Sequence, residues 1–214
     1  MCGVVAYATE EAQGADLGVL SRIFEQSKIR GLHSAGFSWT TLKQVRTEKF
    51  RSVTALNERL RDLWESLEGE PVRLIGHTRY STSGDWQEER NNQPLDLGEI
   101  ALAFNGCIHM GLRPEYEAVY GRTYVTDNDG EIFCRKVLDG EDWTEFVASA
   151  AFSFAGAFLH AGELWVVRNK RRPLWEGIWG QARYIASTRD IFSRAVFPGS
   201  IREVEPCRAF RLTA

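Results

Sequence analysis

Apolar runs of strand length come in groups along this chain, and helical stretches fall between the groups rather than after every strand. Val4 to Ala8, Ala35 to Trp39, Val72 to Gly76 and Ile100 to Phe104 each read as a buried strand. The spacing predicts a helix from Asp16, where Leu17, Leu20 and Phe24 share a face, ending at Arg30-Gly31. A second is predicted over Thr54 to Leu67, where Leu56, Leu60, Leu63, Trp64 and Leu67 share a face and Gly69 is a stop. Two more run through Ile132, Phe133 and Val137 and through Trp143, Phe146, Val147 and Ala150. Thr78 to Asn92 is a polar stretch, Asn105-Gly106 reads as a turn at a strand end, and Thr126 to Gly130 as an acidic turn. Short strands then return at Ala157 to Leu159, Leu164 to Arg168, Arg183 to Ala186 and Phe210 to Leu212. A doubly wound parallel sheet needs strict alternation of strand and helix, so this order predicts an α+β layered fold. No linker or repeat divides residues 1–214, which predicts one domain.

Composition narrows the function classes. A formal net charge of -3 gives no basic excess, so no nucleic-acid partner is expected, and Lys170, Arg171 and Arg172 read as a solvated loop. No apolar run approaches the roughly 20 residues of a membrane-spanning helix, and MCGVVAYATEEAQG lacks the basic and apolar regions of a signal peptide. A cytoplasmic location is the expectation. The cysteines Cys2, Cys107, Cys134 and Cys207 include no CxxC pair and no zinc-finger spacing. There is no phosphate-binding loop and no GxGxxG, so neither metal nor cofactor is expected. His33, His77, His109 and His160 are scattered and read as ordinary hydrogen-bonded histidines.

Cys2 stands out for its chemistry. A cysteine exposed at the N-terminus by removal of Met1 carries its own base, because its α-amine titrates near neutrality and accepts the thiol proton. On position alone the plainer alternative, a structural cysteine at a strand start, is the stronger. The possible partners shift the balance. Asn105 and the Gly106 N–H could hold an oxyanion. Arg79 could fork a substrate carboxylate, and Asp127 or Asp129 could take an ammonium.

These pieces occur as blocks in a familiar order: Met1-Cys2-Gly3-Val4-Val5, Arg30-Gly31-Leu32-His33-Ser34-Ala35-Gly36, Gly76-His77-Thr78-Arg79-Tyr80-Ser81-Thr82-Ser83-Gly84 with Gln93-Pro94-Leu95, Phe104-Asn105-Gly106, and Thr126-Asp127-Asn128-Asp129-Gly130-Glu131. A weaker block runs from Val167-Arg168-Asn169 to Arg172-Pro173-Leu174. In them the chain resembles the glutaminase domain of class II, N-terminal-nucleophile glutamine amidotransferases.

The resemblance implies a four-layer αββα sandwich of the N-terminal-nucleophile hydrolase type. It implies that Cys2 attacks the side-chain amide of L-glutamine, that Asn105 and Gly106 hold the oxyanion, that Arg79 and Thr82 bind the substrate carboxylate, that Asp129 binds its ammonium, and that Arg30 supports the site. Residues 79–86 would form a mobile lid. With no synthase domain in 1–214, the ammonia would go to a separate synthase subunit. Two alternatives stand beside this: a stand-alone γ-glutamyl amide hydrolase, and a catalytically inactive regulatory or scaffold protein. The chain departs from the family pattern at His33 and Asn169, each where an Asp is usual, and at Met110, where many members have Asn.

Overall fold

The computed structural model describes residues 2–41, 44–148 and 151–214. Their order is β1 (Gly3–Thr9), α1 (Gly14–Ser27), β2 (Ser34–Thr41), β3 (Gln44–Phe50), α2 (Val53–Trp64), β4 (Val72–Arg79), β5 (Leu95–Asp96), β6 (Ile100–Cys107), α3 (Arg113–Tyr120), α4 (Gly130–Leu138), α5 (Trp143–Ala148), β7 (Ser153–His160), β8 (Glu163–Arg168), β9 (Trp175–Trp179), β10 (Ala182–Ala186), α6 (Arg189–Arg194), β11 (Ser200–Glu203) and β12 (Arg208–Arg211). One sheet has the order β11-β9-β10-β1-β4-β2-β3 and the other β12-β8-β7-β6-β5. Every pairing in both is antiparallel.

The layering follows from the two-residue period of the strands. Along β1, Val5 and Tyr7 pack with Leu20, Phe24, Leu56 and Leu60 of α1 and α2, while Val4, Ala6 and Ala8 pack with Ala101, Ala103, Ala155 and Ala157 of the other sheet. Along β6, Leu102 and Phe104 turn outward to Ile132, Phe133 and Val137 of α4. The layers are therefore helix, sheet, sheet, helix, the four-layer sandwich expected. The layer between the sheets is rich in alanine, which lets the two backbones approach closely.

α2 starts at Ser52, whose hydroxyl accepts from the Ala55 N–H at 3.2 Å. It buries Leu56, Leu60, Leu63 and Trp64 as expected and ends at Trp64, three residues before its expected last residue, Leu67. Ala150, assigned to a helix from its spacing, lies outside the described residues. No described helix is long and apolar enough to cross a membrane.

Several elements differ from expectation. β4 runs on through Thr78 and Arg79, which the sequence places in a loop. β6 continues through Asn105 and Gly106 to Cys107, so this pair is not a turn. The cause is packing against β7: a Cβ at Gly106 would stand 2.1 Å from the Ser153 carbonyl oxygen, so the glycine admits a close backbone approach inside a strand. β3, α3, α6, β9 and β11 were not anticipated. In β3 the run QVRTEKF is polar because the strand lies at a sheet edge.

Candidate active site

Strand alternation brings the predicted residues to one end of the layer between the sheets. Ile75 faces that layer from β4, so His77 and Arg79 do as well; Ala103 faces it from β6, so Asn105 and Cys107 follow. Cys2 enters the same end just before β1. A cavity of about 570 Å³ opens there, lined by Cys2, Thr82, Asn105, Gly106 and Asp129. Arg30 and Arg79, the other two candidates, lie outside its lining.

Asn105 joins the two sheets at Cys2. The Cys2 nitrogen, which becomes the α-amine once Met1 is removed, donates to Asn105 Oδ1 at 3.2 Å. That bond fixes the amide orientation. Asn105 Nδ2 is then a buried donor with no hydrogen-bond partner among the described residues. Such a group costs stability unless something fills its need, which makes it a natural donor to a charge that develops during reaction. The Cys2 thiol donates to the Tyr80 carbonyl oxygen at 3.4 Å, and Arg30 Nε donates to the Cys2 carbonyl oxygen at 3.4 Å. Burial pushes the Cys2 thiol up, while the charges of Arg79 and Arg30 pull it down. The thiol is thus held protonated near neutrality, and its attack needs a base.

The outer edge of β6 aims the second donor. Leu102 pairs with Leu95 of β5 on this edge, and β5 ends there. Beyond it the Phe104 N–H donates to Gln93 Oε1 at 2.7 Å, and the Ile108 N–H to Asp129 Oδ2 at 2.5 Å. Backbone groups two residues apart share an edge, so the Gly106 N–H points the same way, between these two, where the cavity lies.

Arg79 is only 2% exposed. Its guanidinium donates to Asn92 Oδ1, to the Ser83 carbonyl and, at 3.1 Å, to the Gly84 carbonyl. It thus ties down the loop that contains Thr82, rather than presenting a fork to the cavity. His33 acts on the same loop. Its Nδ1 accepts from the Ser81 N–H at 2.9 Å, and its ring stacks on Tyr80 and Trp86 at centroid distances of 5.1 and 5.6 Å. Where the family pattern has Asp, an imidazole thus holds this loop by one accepted hydrogen bond and two ring contacts.

Asp129 is buried at the cavity wall, and its Oδ2 accepts from both Ile108 N–H and His109 N–H, at 2.5 and 3.0 Å. Burial pushes its carboxyl up, against the pull of those two bonds. Asp127 also lines the cavity but is drawn to Arg113 at 3.5 Å. Glu131, the last member of the acidic block, is fully buried. It accepts from the Val125 and Thr126 N–H groups and pairs with Arg135 at 2.9 Å, so it shapes the segment from behind.

The cavity wall also contains residues that had no role in the site on sequence grounds: Cys107, His109, and Arg172, which lines the cavity although its basic run reads as a solvated loop. Cys107 was hidden by the reading of Asn105-Gly106 as a turn; once β6 runs on to Cys107, strand alternation puts it on the same face as Asn105. Burial and the neighbouring Asp129 push its thiol up to about 11, which makes it a poor nucleophile. Met110 is 96% exposed at the rim, and Asn169 is buried, accepting from Phe154 N–H and Arg171 N–H.

No family model matches the chain. Glutamine–fructose-6-phosphate aminotransferase (isomerizing) of Pseudomonas syringae pv. tomato is 30% identical over 167 residues, covering 74% of this chain and 26% of that protein. Amidophosphoribosyltransferase of Synechococcus elongatus is 34% identical over 157 residues, covering 65% of this chain and 32% of its own length. The chain thus matches about a quarter to a third of the length of these curated relatives. Among solved structures, glutamine phosphoribosylpyrophosphate amidotransferase from B. subtilis, complexed with ADP and GMP, superposes with a TM-score of 0.74 at 21% identity. That match covers 99% of this chain and 47% of that one, a likeness of fold. Homologous sequence, the two-sheet sandwich and the order of the motifs together place the chain in the class II glutamine amidotransferase family, as a domain of the glutaminase type.

Proposed function

We propose that this domain hydrolyses L-glutamine to glutamate and ammonia through a Cys2 thioester. The observation that supports this best is the Asn105 amide, held by the Cys2 nitrogen, with its Nδ2 buried and without a hydrogen-bond partner among the described residues. With Met1 removed, the Cys2 α-amine takes the thiol proton as Sγ attacks the glutamine side-chain carbonyl. The oxyanion is held by Asn105 Nδ2 and the Gly106 N–H. As it collapses, the C–N bond breaks, the ammonium returns its proton to the departing nitrogen, and ammonia leaves. Water, deprotonated by the same amine, then attacks the thioester and releases glutamate.

Asp129 takes the substrate ammonium. Arg79 takes its carboxylate by exchanging the Ser83 and Gly84 carbonyls for it, with Thr82 beside it. The ammonia would pass to a synthase. A glutamine-analogue electrophile followed by peptide mass mapping tests the assignment. Label on Cys2 with Met1 absent supports it; label confined to Cys107 or Cys134 overturns it.

A second reading, hydrolysis of larger γ-glutamyl amides, draws on the rim of the same cavity, where Met110, Leu112 and Pro114 extend it past Asp129. A higher kcat/KM for such amides than for glutamine would replace the first reading with the second.

A further inference from the structure

The Phe104 backbone precedes both oxyanion donors, and side chains from two different segments grip the peptide groups on either side of its Cα. Gln93 Oε1 accepts its N–H at 2.7 Å, and His77 Nε2 bonds its carbonyl oxygen at 3.1 Å. Both side chains are buried, His77 completely and Gln93 to within 4%. β5, the hydrogen-bonding neighbour of β6 on this edge, is only two residues long and begins at Leu95, opposite Leu102, so it does not reach Phe104. From Phe104 onward side chains replace the missing strand. A carbonyl oxygen only accepts, so His77 carries its proton on Nε2. Its Nδ1 is then a bare acceptor, and it is buried without a hydrogen-bond partner among the described residues. Burial and the Arg79 charge push the ring down to about 3, so it stays neutral. An unsatisfied buried nitrogen is a cost that a purely packing side chain would avoid.

We propose that His77 and Gln93 are positioning residues: they clamp the Phe104 backbone and thereby set Asn105 Nδ2 and the Gly106 N–H in register with Cys2. The clamp rests on the glutaminase reading above. It acts through Asn105 and Gly106 and touches no substrate atom. Because it fixes donors used in the transition state, its loss falls on kcat rather than on glutamine binding, which is the work of Arg79 and Asp129.

Four variants of the mature protein test it: His77→Met, His77→Gln, Gln93→Met and the double His77→Met/Gln93→Met. Either single Met variant should lower kcat for glutamine about tenfold to a hundredfold, since small misplacements of reacting groups cost that much, with KM within about twofold. His77→Gln places an amide donor where Nε2–H stands and should recover most of the loss. The double variant should lose less than the product of the singles, because both hold the backbone of the one residue Phe104. Nitrogen-15 resonances of His77 in the parent should report the neutral Nε2–H tautomer, a readout that remains if the Met variants do not fold.

Unchanged kcat in folded Met variants, a loss carried by KM, His77→Gln as impaired as His77→Met, or an Nδ1–H tautomer each overturns the clamp while leaving the glutaminase reading intact. Absence of turnover in the mature parent protein overturns that reading itself, and the clamp with it.

Discussion

At the residue scale, the site combines residues legible from chemistry with residues legible only from geometry. Cys2, Asn105 and Asp129 could be named because a nucleophile, an amide donor and a carboxylate are what amide hydrolysis of an amino acid requires. The job of Arg79 was not legible in the same way. Its type suggested a carboxylate fork, but where β4 ends decides that its donors reach Ser83, Gly84 and Asn92. Asp129 offers a direct test. Both backbone bonds fall on Oδ2 alone, so the oxygen of an asparagine keeps them. Burial raises the carboxyl, so the folded state favours its protonated form. That contribution is present in full below the ordinary carboxylate range and is lost as pH rises through the raised value. Asp129→Asn should therefore melt at a higher temperature than the parent near neutral pH, with the advantage vanishing under acid. Its KM for glutamine should rise about tenfold to a hundredfold, the worth of a charge-assisted hydrogen bond. A thermal melt series across pH and steady-state kinetics check the two halves. A second residue-scale prediction concerns Gly106. With 2.1 Å available to a Cβ, Gly106→Ala must displace the β7 backbone. It should cost about 1–3 kcal/mol in urea unfolding, as overpacking does. Glutaminase activity should fall with it, because Gly106 supplies one of the oxyanion donors and its own strand, β6, shifts as the contact with β7 opens.

At the element scale, strands with a buried apolar run were readable and those without were not. β1, β4 and β6 announced themselves by composition, whereas β3 is a polar edge strand and β5 is two residues long. The Asn105-Gly106 pair misled because local turn preference favours it, and only the nearness of β7 explains a glycine inside a strand. The loop after β4 depends on donors that are planar and forked. Arg79→Lys keeps the charge but loses that geometry, since an ammonium is a point donor on a flexible stem. Amide exchange over residues 81–91 should be faster in this variant, and KM for glutamine should rise more than kcat falls. Exchange as slow as in the parent would show that His33, through Ser81 and its ring contacts, holds the loop by itself.

At the scale of the whole molecule, the core beneath α1 and α2 and the core between the sheets do different work. Leu60 packs beneath the first sheet with α1 and α2, away from the cavity. Ala103 lies between the sheets, two residues before Asn105 on the same face of β6. Alanine is required there by the close approach of the sheets, a fact of assembly that no window of sequence could reveal. Leu60→Ala should destabilise by about 2–5 kcal/mol through a cavity, yet leave kcat near its parent value. Ala103→Leu should destabilise by about 1–3 kcal/mol through overpacking. Because β6 must move away from β1 to admit the larger side chain, the bond between the Cys2 nitrogen and Asn105 Oδ1 should lengthen and kcat should fall sharply. Denaturant titration combined with turnover under strongly native conditions separates the two effects. If Ala103→Leu lost stability but kept kcat, then the spacing of the sheets would not set the geometry at Cys2, and the site would depend on its own side-chain contacts alone.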